Sequence, residues 1–119
     1  MPIIRREDVA GEPLFPGIHS HPLVRPQAGA VSLTVNELVI QPGASVPLHV
    51  HPTHEEAMVV LEGQLDARLG DQRTQVSPGA AILAPKEVPH MLTNRGRTPA
   101  RILAIFPVAT PQRQLVEDR

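Results

Sequence analysis

The 119-residue chain contains no cysteine, no tryptophan and no tyrosine, and only two phenylalanines. Without thiols it can form no disulfide, no thiolate metal site and no cysteine nucleophile, so any bound metal must rest on His nitrogen and carboxylate oxygen. With so few rings, stacking against carbohydrate or nucleobase has little to work with. A dominant charge is missing too. Eleven basic and twelve acidic residues leave a formal net charge of -1, which supplies no positive field for nucleic acid and no basic amphipathic face for a membrane. No apolar run approaches membrane-spanning length, and the opening MPIIRREDVA lacks the apolar core and small-residue cleavage site of a secretory leader. A cytoplasmic location is the expectation.

Helical periodicity is scarce as well. Fourteen Pro and eight Gly cut the sequence into short apolar runs, and hardly any stretch keeps a 3.6-residue period over three turns. A length of 119 residues suits one core, so residues 1–119 are read as a single domain. The 41% hydrophobic and 19% charged content is that of a folded chain and not of a disordered one.

What is present is strand-like. The pattern predicts strands at 18–24, 31–40, 46–50, 56–61, 65–69, 73–76, 80–83, 90–94 and 101–106. Turn residues separate them, among them Gln41-Pro42-Gly43, Glu62-Gly63, Gly70-Asp71, Ser77-Pro78-Gly79 and Asn94-Arg95-Gly96. Many short strands at close spacing imply an all-β sandwich or barrel. Alternation is clearest at 31–35 and 65–69, where one face should be buried. The tail at 111–119 loses the pattern and reads as a short helix, a swapped arm or a frayed end.

Within this frame, His49-Val50-His51 puts two imidazoles two residues apart. On a strand they share one face, with Val50 pointing away. Pro52 interrupts the strand, and the following turn can return the Glu56 carboxylate beside them. His90, after Pro89 at the head of another apolar segment, is the candidate for a fourth group. His-x-His alone is a common chance pattern, so the pair needs this wider constellation to carry weight.

The run Gly43-x5-His49-x-His51-x4-Glu56-x6-Gly63 resembles the first motif of the cupin superfamily at every signature position. Gly79-x5-Pro85-x-Glu87-x2-His90-x3-Asn94 resembles the second, except that Glu87 stands where the family has Gly in a turn. Fifteen residues lie between Gly63 and Gly79, close to the spacing of compact bacterial members.

The resemblance implies a double-stranded β-helix, or jelly-roll barrel, commonly dimeric, with one divalent metal in its lumen. It makes His49, His51, Glu56 and His90 the metal ligands, Gly43, Gly63, Gly79 and Pro85 turn residues, and Asn94 a structural contributor. Three His and one Glu leave one or two positions for water, dioxygen or a pair of substrate oxygens. The set suits Fe, Mn, Ni, Zn or Cu and not Ca or Mg.

Several neighbours are read against plainer alternatives. His54 shares the parity of Glu56 and is a candidate catalytic proton carrier at the rim, set against a solvated turn residue; Glu56 is the second catalytic candidate. Glu55 is expected at the surface, and a register slip would make it the ligand instead. His19 and His21 repeat the His-x-His spacing, but nothing acidic follows, so they read as surface, interface or pocket-mouth residues. Met58, Val60 and Leu92 should line the lumen, with Val35 and Phe106 as weaker candidates. Arg95 and Arg97 read as solvent-exposed, or as carboxylate receivers at the barrel mouth.

Two functions follow from the resemblance. One is a dioxygenase-like oxidoreductase, isomerase or lyase acting on a small organic acid, enol or diketone in an aliphatic pocket. The other is a non-catalytic module that binds metal or a small ligand for sensing or storage.

Overall fold

Strand-forming segments dominate residues 2–117, which this computed structural model describes. In chain order they are β1 (Glu12–Phe15), β2 (Ile18–Val24), β3 (Thr34–Ile40), β4 (Ser45–Val50), β5 (Glu56–Glu62), β6 (Leu65–Leu69), β7 (Gln72–Val76), β8 (Ala81–Ala84), β9 (His90–Thr93), β10 (Ala100–Phe106) and β11 (Gln114–Leu115). Two antiparallel sheets result. One has the order β1-β2-β3-β10-β5-β8 and the other β11-β4-β9-β6-β7. From β3 to β6, and again from β7 to β10, each connection crosses from one sheet to the other. Each sheet is thereby assembled from strands distant in sequence, and the architecture is the expected double-stranded β-helix.

The core lies between the sheets. Along β10 the inward positions Ala100, Ile102, Ala104 and Phe106 are all buried, as period-2 alternation requires of a sheet with one covered face. Ile18, Ile40, Val60 and Leu65 complete the most deeply buried set. Each such side chain stabilises the fold by about 1.5–3 kcal/mol through removal from water.

Strand boundaries differ from expectation at three places. β1 escapes the pattern because Glu12-Pro13-Leu14-Phe15 has no alternation and contains Pro. It lies at a sheet edge, where a missing amide donor is tolerated. β3 begins at Thr34 and not at Val31: Val31 and Leu33 are exposed, so their alternation marks no buried face. The tail is neither helix, swapped arm nor frayed end through Glu117. Gln114 and Leu115 pair antiparallel with Val50 and His49 of the same chain, and Val116 N–H donates to Leu48 O. The last two residues of that expectation, 118 and 119, lie outside the described residues.

Two turns show how local chemistry holds the frame. Gly63 has φ +82, and a Cβ there would lie 3.0 Å from the Ala100 Cα, so the turn after β5 has room for nothing larger. Pro85-Lys86-Glu87-Val88 closes with Val88 N–H donating to Pro85 O, and Glu87 occupies its third position at φ +68. That geometry is a type II turn, which favours Gly at the third position. The turn therefore forms with Glu where the family pattern has Gly, at the cost of left-handed strain on a residue bearing Cβ.

Replacing that residue should relieve the strain. Glu87→Gly is expected to raise stability by about 0.5–1 kcal/mol, the relief of the left-handed conformation less the extra freedom Gly gives the unfolded chain. Urea unfolding checks it as a higher midpoint at unchanged slope. A lower midpoint would show that the Glu87 side chain contributes more than its backbone costs.

Candidate metal centre

Three strands deliver the four candidate ligands to one end of the barrel. β4 carries His49 and runs into His51, β5 opens with Glu56, and β9 opens with His90. His49 stands opposite His90 in the β4–β9 pairing. The register between these strands shifts between Val46 and His49, where Pro47 can give the ladder no amide. The bulge turns Leu48 and His49 both into the buried layer. It also leaves the Pro47 carbonyl free to accept from His49 Nδ1 at 2.7 Å.

The same device recurs at the other two imidazoles. His51 Nδ1 meets the Gln112 carbonyl at 2.6 Å, and His90 Nδ1 meets the Val88 carbonyl at 3.0 Å. A carbonyl oxygen can only accept, so all three Nδ1 atoms carry the proton and, in the neutral rings, all three Nε2 atoms present lone pairs. His51 Nε2 lies 2.9 Å and His90 Nε2 3.0 Å from the same carboxylate oxygen, Glu56 Oε1. Lone pair would face lone pair across these gaps unless something positive is shared among them.

A proton can serve, and so can a metal ion. One donor atom from each of His49, His51, Glu56 and His90 falls within 4.8 Å of the others, and all four residues are buried. Ligands about 2.1 Å from one ion in cis positions stand about 3 Å apart, which is the spacing of Glu56 Oε1 from two of the rings. The donor set thus fits a divalent transition metal, and its three imidazoles fit such an ion better than Ca or Mg.

Electrostatics divides the rings. Burial, reinforced by the neighbouring His90, holds the His49 pKa down at about 4, so this ring stays neutral and able to ligate across most of the accessible pH range. Burial also opposes charging of His51, but the Glu56 hydrogen bond and the Gln112 carbonyl outweigh it and raise its pKa. For Glu56, burial works against ionisation and is overcome by hydrogen bonds from His51 and His90, leaving the carboxylate below its ordinary range. The centre favours an ionised Glu56 beside a cation, whichever cation that is.

The ligand cluster opens on a cavity of about 360 Å³ between the sheets. Met58, Leu92 and Phe106 line it as expected, but Val35 and Val60 do not. Val60 is buried deeper in the core. Val35 has the opposite parity to the lining residues Thr34, Asn36 and Leu38, so it points to the outer face of its sheet.

Other expected sites fall elsewhere. His54 is buried and stacked on His51 with centroids 4.9 Å apart, but it does not line the cavity. Its Nδ1–H donates to Glu55 O and its Nε2 accepts from Gln112 N–H, which braces the chain near Gln112. The solvated turn residue of the plainer reading gives way to a buried one. Glu55 is exposed, as expected.

His19 is exposed, and His21 meets the Val9 carbonyl while covering Gly11; neither belongs to a ligand cluster among the described residues. Arg95 pairs with Asp66 at 2.6 Å, away from the cavity, and Arg97 is exposed. The arginine that does reach the cavity is Arg113. Sequence reasoning missed it because it lies in the tail, where no periodicity signalled structure. Asn94 is fully paired, donating to Ile40 O and Thr98 O and accepting from Gly96 N–H.

Comparison with known proteins agrees with this geometry. A family model described as "Cupin domain" matches residues 36–106. The chain is 28% identical over 87 residues to the tetracenomycin polyketide synthase protein TcmJ of Streptomyces glaucescens, covering 73% of this chain and 58% of that one. To germin-like protein 1 of Brassica napus it is 28% identical over 97 residues, 77% of this chain and 47% of the relative. The chain thus spans about half the length of the curated relatives it matches. Among solved structures, the polyketide cyclase RemF of Streptomyces resistomycificus superposes with a TM-score of 0.88 at 26% identity, over 100% of this chain and 87% of that one.

Proton competition gives the site a testable pH signature. A metal must displace protons from rings that bind it neutral, and the raised His51 pKa makes that ring the first to compete as pH falls, while His49 stays neutral down to about pH 4. Metal affinity should therefore drop on acidification below neutrality, by about tenfold per pH unit for each proton displaced. Competition against a chromophoric chelator at pH 8, 6 and 5 measures it. Equal affinity at all three would show that these rings do not hold the ion.

Proposed function

Because the chain belongs to the cupin domain family, we propose that it is a metal-dependent enzyme acting on a small organic acid, enol or diketone through His49, His51, Glu56 and His90. The observation that carries this reading is the three-imidazole, one-carboxylate cluster buried at the wall of a largely apolar cavity. A divalent ion held there supplies Lewis acidity and, if Fe, Mn or Cu, redox chemistry with dioxygen.

The chain's own residues supply the rest. His49, His51 and His90 are fixed in ring orientation by backbone carbonyls, so the Nε2 atoms are aimed before any ligand arrives. Leu38, Met58, Leu92, Ile102 and Phe106 line the cavity with apolar surface, limiting the water that reaches it. Glu56 is the one carboxylate lining the cavity, so it is the residue that would take a proton from an enolisable group.

Glu56 is the single base there, so the chemistry rests on what a bound ion would supply, which favours a dioxygenase-like oxidoreductase. The likeness to a polyketide cyclase and to a polyketide synthase protein supports an enol or diketone among these substrates. The alternative, a non-catalytic metal- or ligand-binding module, is favoured by the same shortage of free bases.

A cytoplasmic homodimer completes the reading. No helix of the described residues is long and apolar enough to cross a membrane. Val59, Leu83, Leu103 and Ile105 lie on the outward face of the first sheet, with Leu83 56% exposed, and such a face supports pairing with a second copy.

Elemental analysis of protein purified without an affinity metal, followed by oxygen-uptake and substrate-loss assays of the Fe(II)- and Mn(II)-loaded protein against small enolisable acids and diketones, tests the enzyme. Expected is metal-dependent turnover that His49→Ala lowers by more than the 10- to 100-fold typical of outer-shell changes. Ligand binding with nothing consumed would favour the module.

A further inference from the structure

At the mouth of the cavity stands a cation with no partner. Arg113 lines the cavity and, among the described residues, no carboxylate pairs with it. What holds it is aromatic: its guanidinium carbon lies 4.7 Å from the Phe15 ring centroid. That contact fixes the plane of the group while leaving its edge hydrogens unused.

The backbone beneath it is also fixed. Gln112, one residue earlier, donates its N–H to His54 Nε2 and accepts from His51 Nδ1 through its carbonyl. Gln114 and Leu115, just beyond, are hydrogen-bonded into β11 on β4. The segment bearing Arg113 is thus pinned on both sides, and one of its pins is a ring of the ligand cluster itself.

The cavity offers little else that could recognise charge. Apart from the ligand cluster, Arg113 is the only ionisable residue lining it among the described residues. Thr34 is occupied by the Val108 carbonyl, while Ser20 and Asn36 offer neutral polar groups. A cluster suited to a metal ion and a guanidinium suited to a planar anion therefore line one largely apolar space.

We propose that Arg113 determines ligand charge, receiving a carboxylate of a small organic acid whose remaining oxygens reach the metal centre, so that acids are selected over neutral enols and diketones. This rests on the metal-centre reading above and narrows its substrate class. Arg suits the task because its two parallel N–H groups match the two oxygens of a carboxylate, a geometry Lys cannot reproduce.

The test uses the full chain loaded with Co(II), whose visible spectrum responds to a change of ligand, titrated with malonate and with pentane-2,4-dione as chelators of similar size and different charge. Wild type, Arg113→Gln and Arg113→Lys are compared; the position is exposed, so the fold is not at stake. Arg113→Gln should weaken malonate by about 10- to 100-fold, the loss of a charge-assisted pair. Its effect on pentane-2,4-dione should stay within about twofold, and Arg113→Lys should restore part of the malonate affinity.

Cobalt binding at one ion per chain with malonate and dione affected alike, or with neither affected, would overturn the role of Arg113 and leave the metal centre standing. A wild-type protein that develops no cobalt spectrum at all would remove the metal centre, and this proposal with it.

Discussion

One carboxylate oxygen facing two imidazole nitrogens is the constraint around which the molecule is arranged. Glu56 Oε1 is within 3.0 Å of both His51 Nε2 and His90 Nε2, and each ring has its only N–H turned toward a backbone carbonyl. Buried like-polarity groups cost several kcal/mol unless compensated. The barrel uses three strands, β4, β5 and β9, to hold them together. A positive guest is therefore a structural requirement of the site as well as a chemical opportunity.

The devices that create this arrangement are local irregularities in a regular fold. The register shift at Pro47 and the turn at Glu87 each put a backbone group where a ring needs it: the Pro47 carbonyl takes His49 Nδ1, and the Val88 carbonyl at the end of the turn takes His90 Nδ1. Asn94 does comparable work at the opposite end of β9, joining the end of β3 to the turn before β10. A straight ladder with ideal turns would have paired these groups with one another and left the imidazoles unoriented. The strained Glu87 and the register shift after Val46 both lie close in sequence to a candidate ligand, where functional sites commonly store such irregularities.

Much of this could be read from the residues. The spacing of His49, His51, Glu56 and His90 survives translation into space because strands have a fixed period and the turns between them are short. The same rule places Met58, Leu92 and Phe106 at the lumen. It fails for Val35, because a strand beginning at Thr34 turns its even-numbered residues inward, and no local signal in Val31-Ser32-Leu33 announces that these residues lie outside the sheet. It fails for His54, whose parity says rim, because a backbone partner far along the chain captures its Nε2. Arg113 was invisible for a related reason: β11 exists only through pairing with β4, and two residues carry no periodicity.

That short strand makes the segment from Pro111 to Leu115 part of the cavity's rim. The eleven-strand frame supplies a shape open at one end, and residues 111–116 supply its rim, fastened through Gln112 to an imidazole of the ligand cluster. Changes confined to this segment reshape the entrance without disturbing a single core side chain. The barrel and its doorway can therefore vary independently, because the strand that carries the rim, Gln114–Leu115, is exposed and adds nothing to the core.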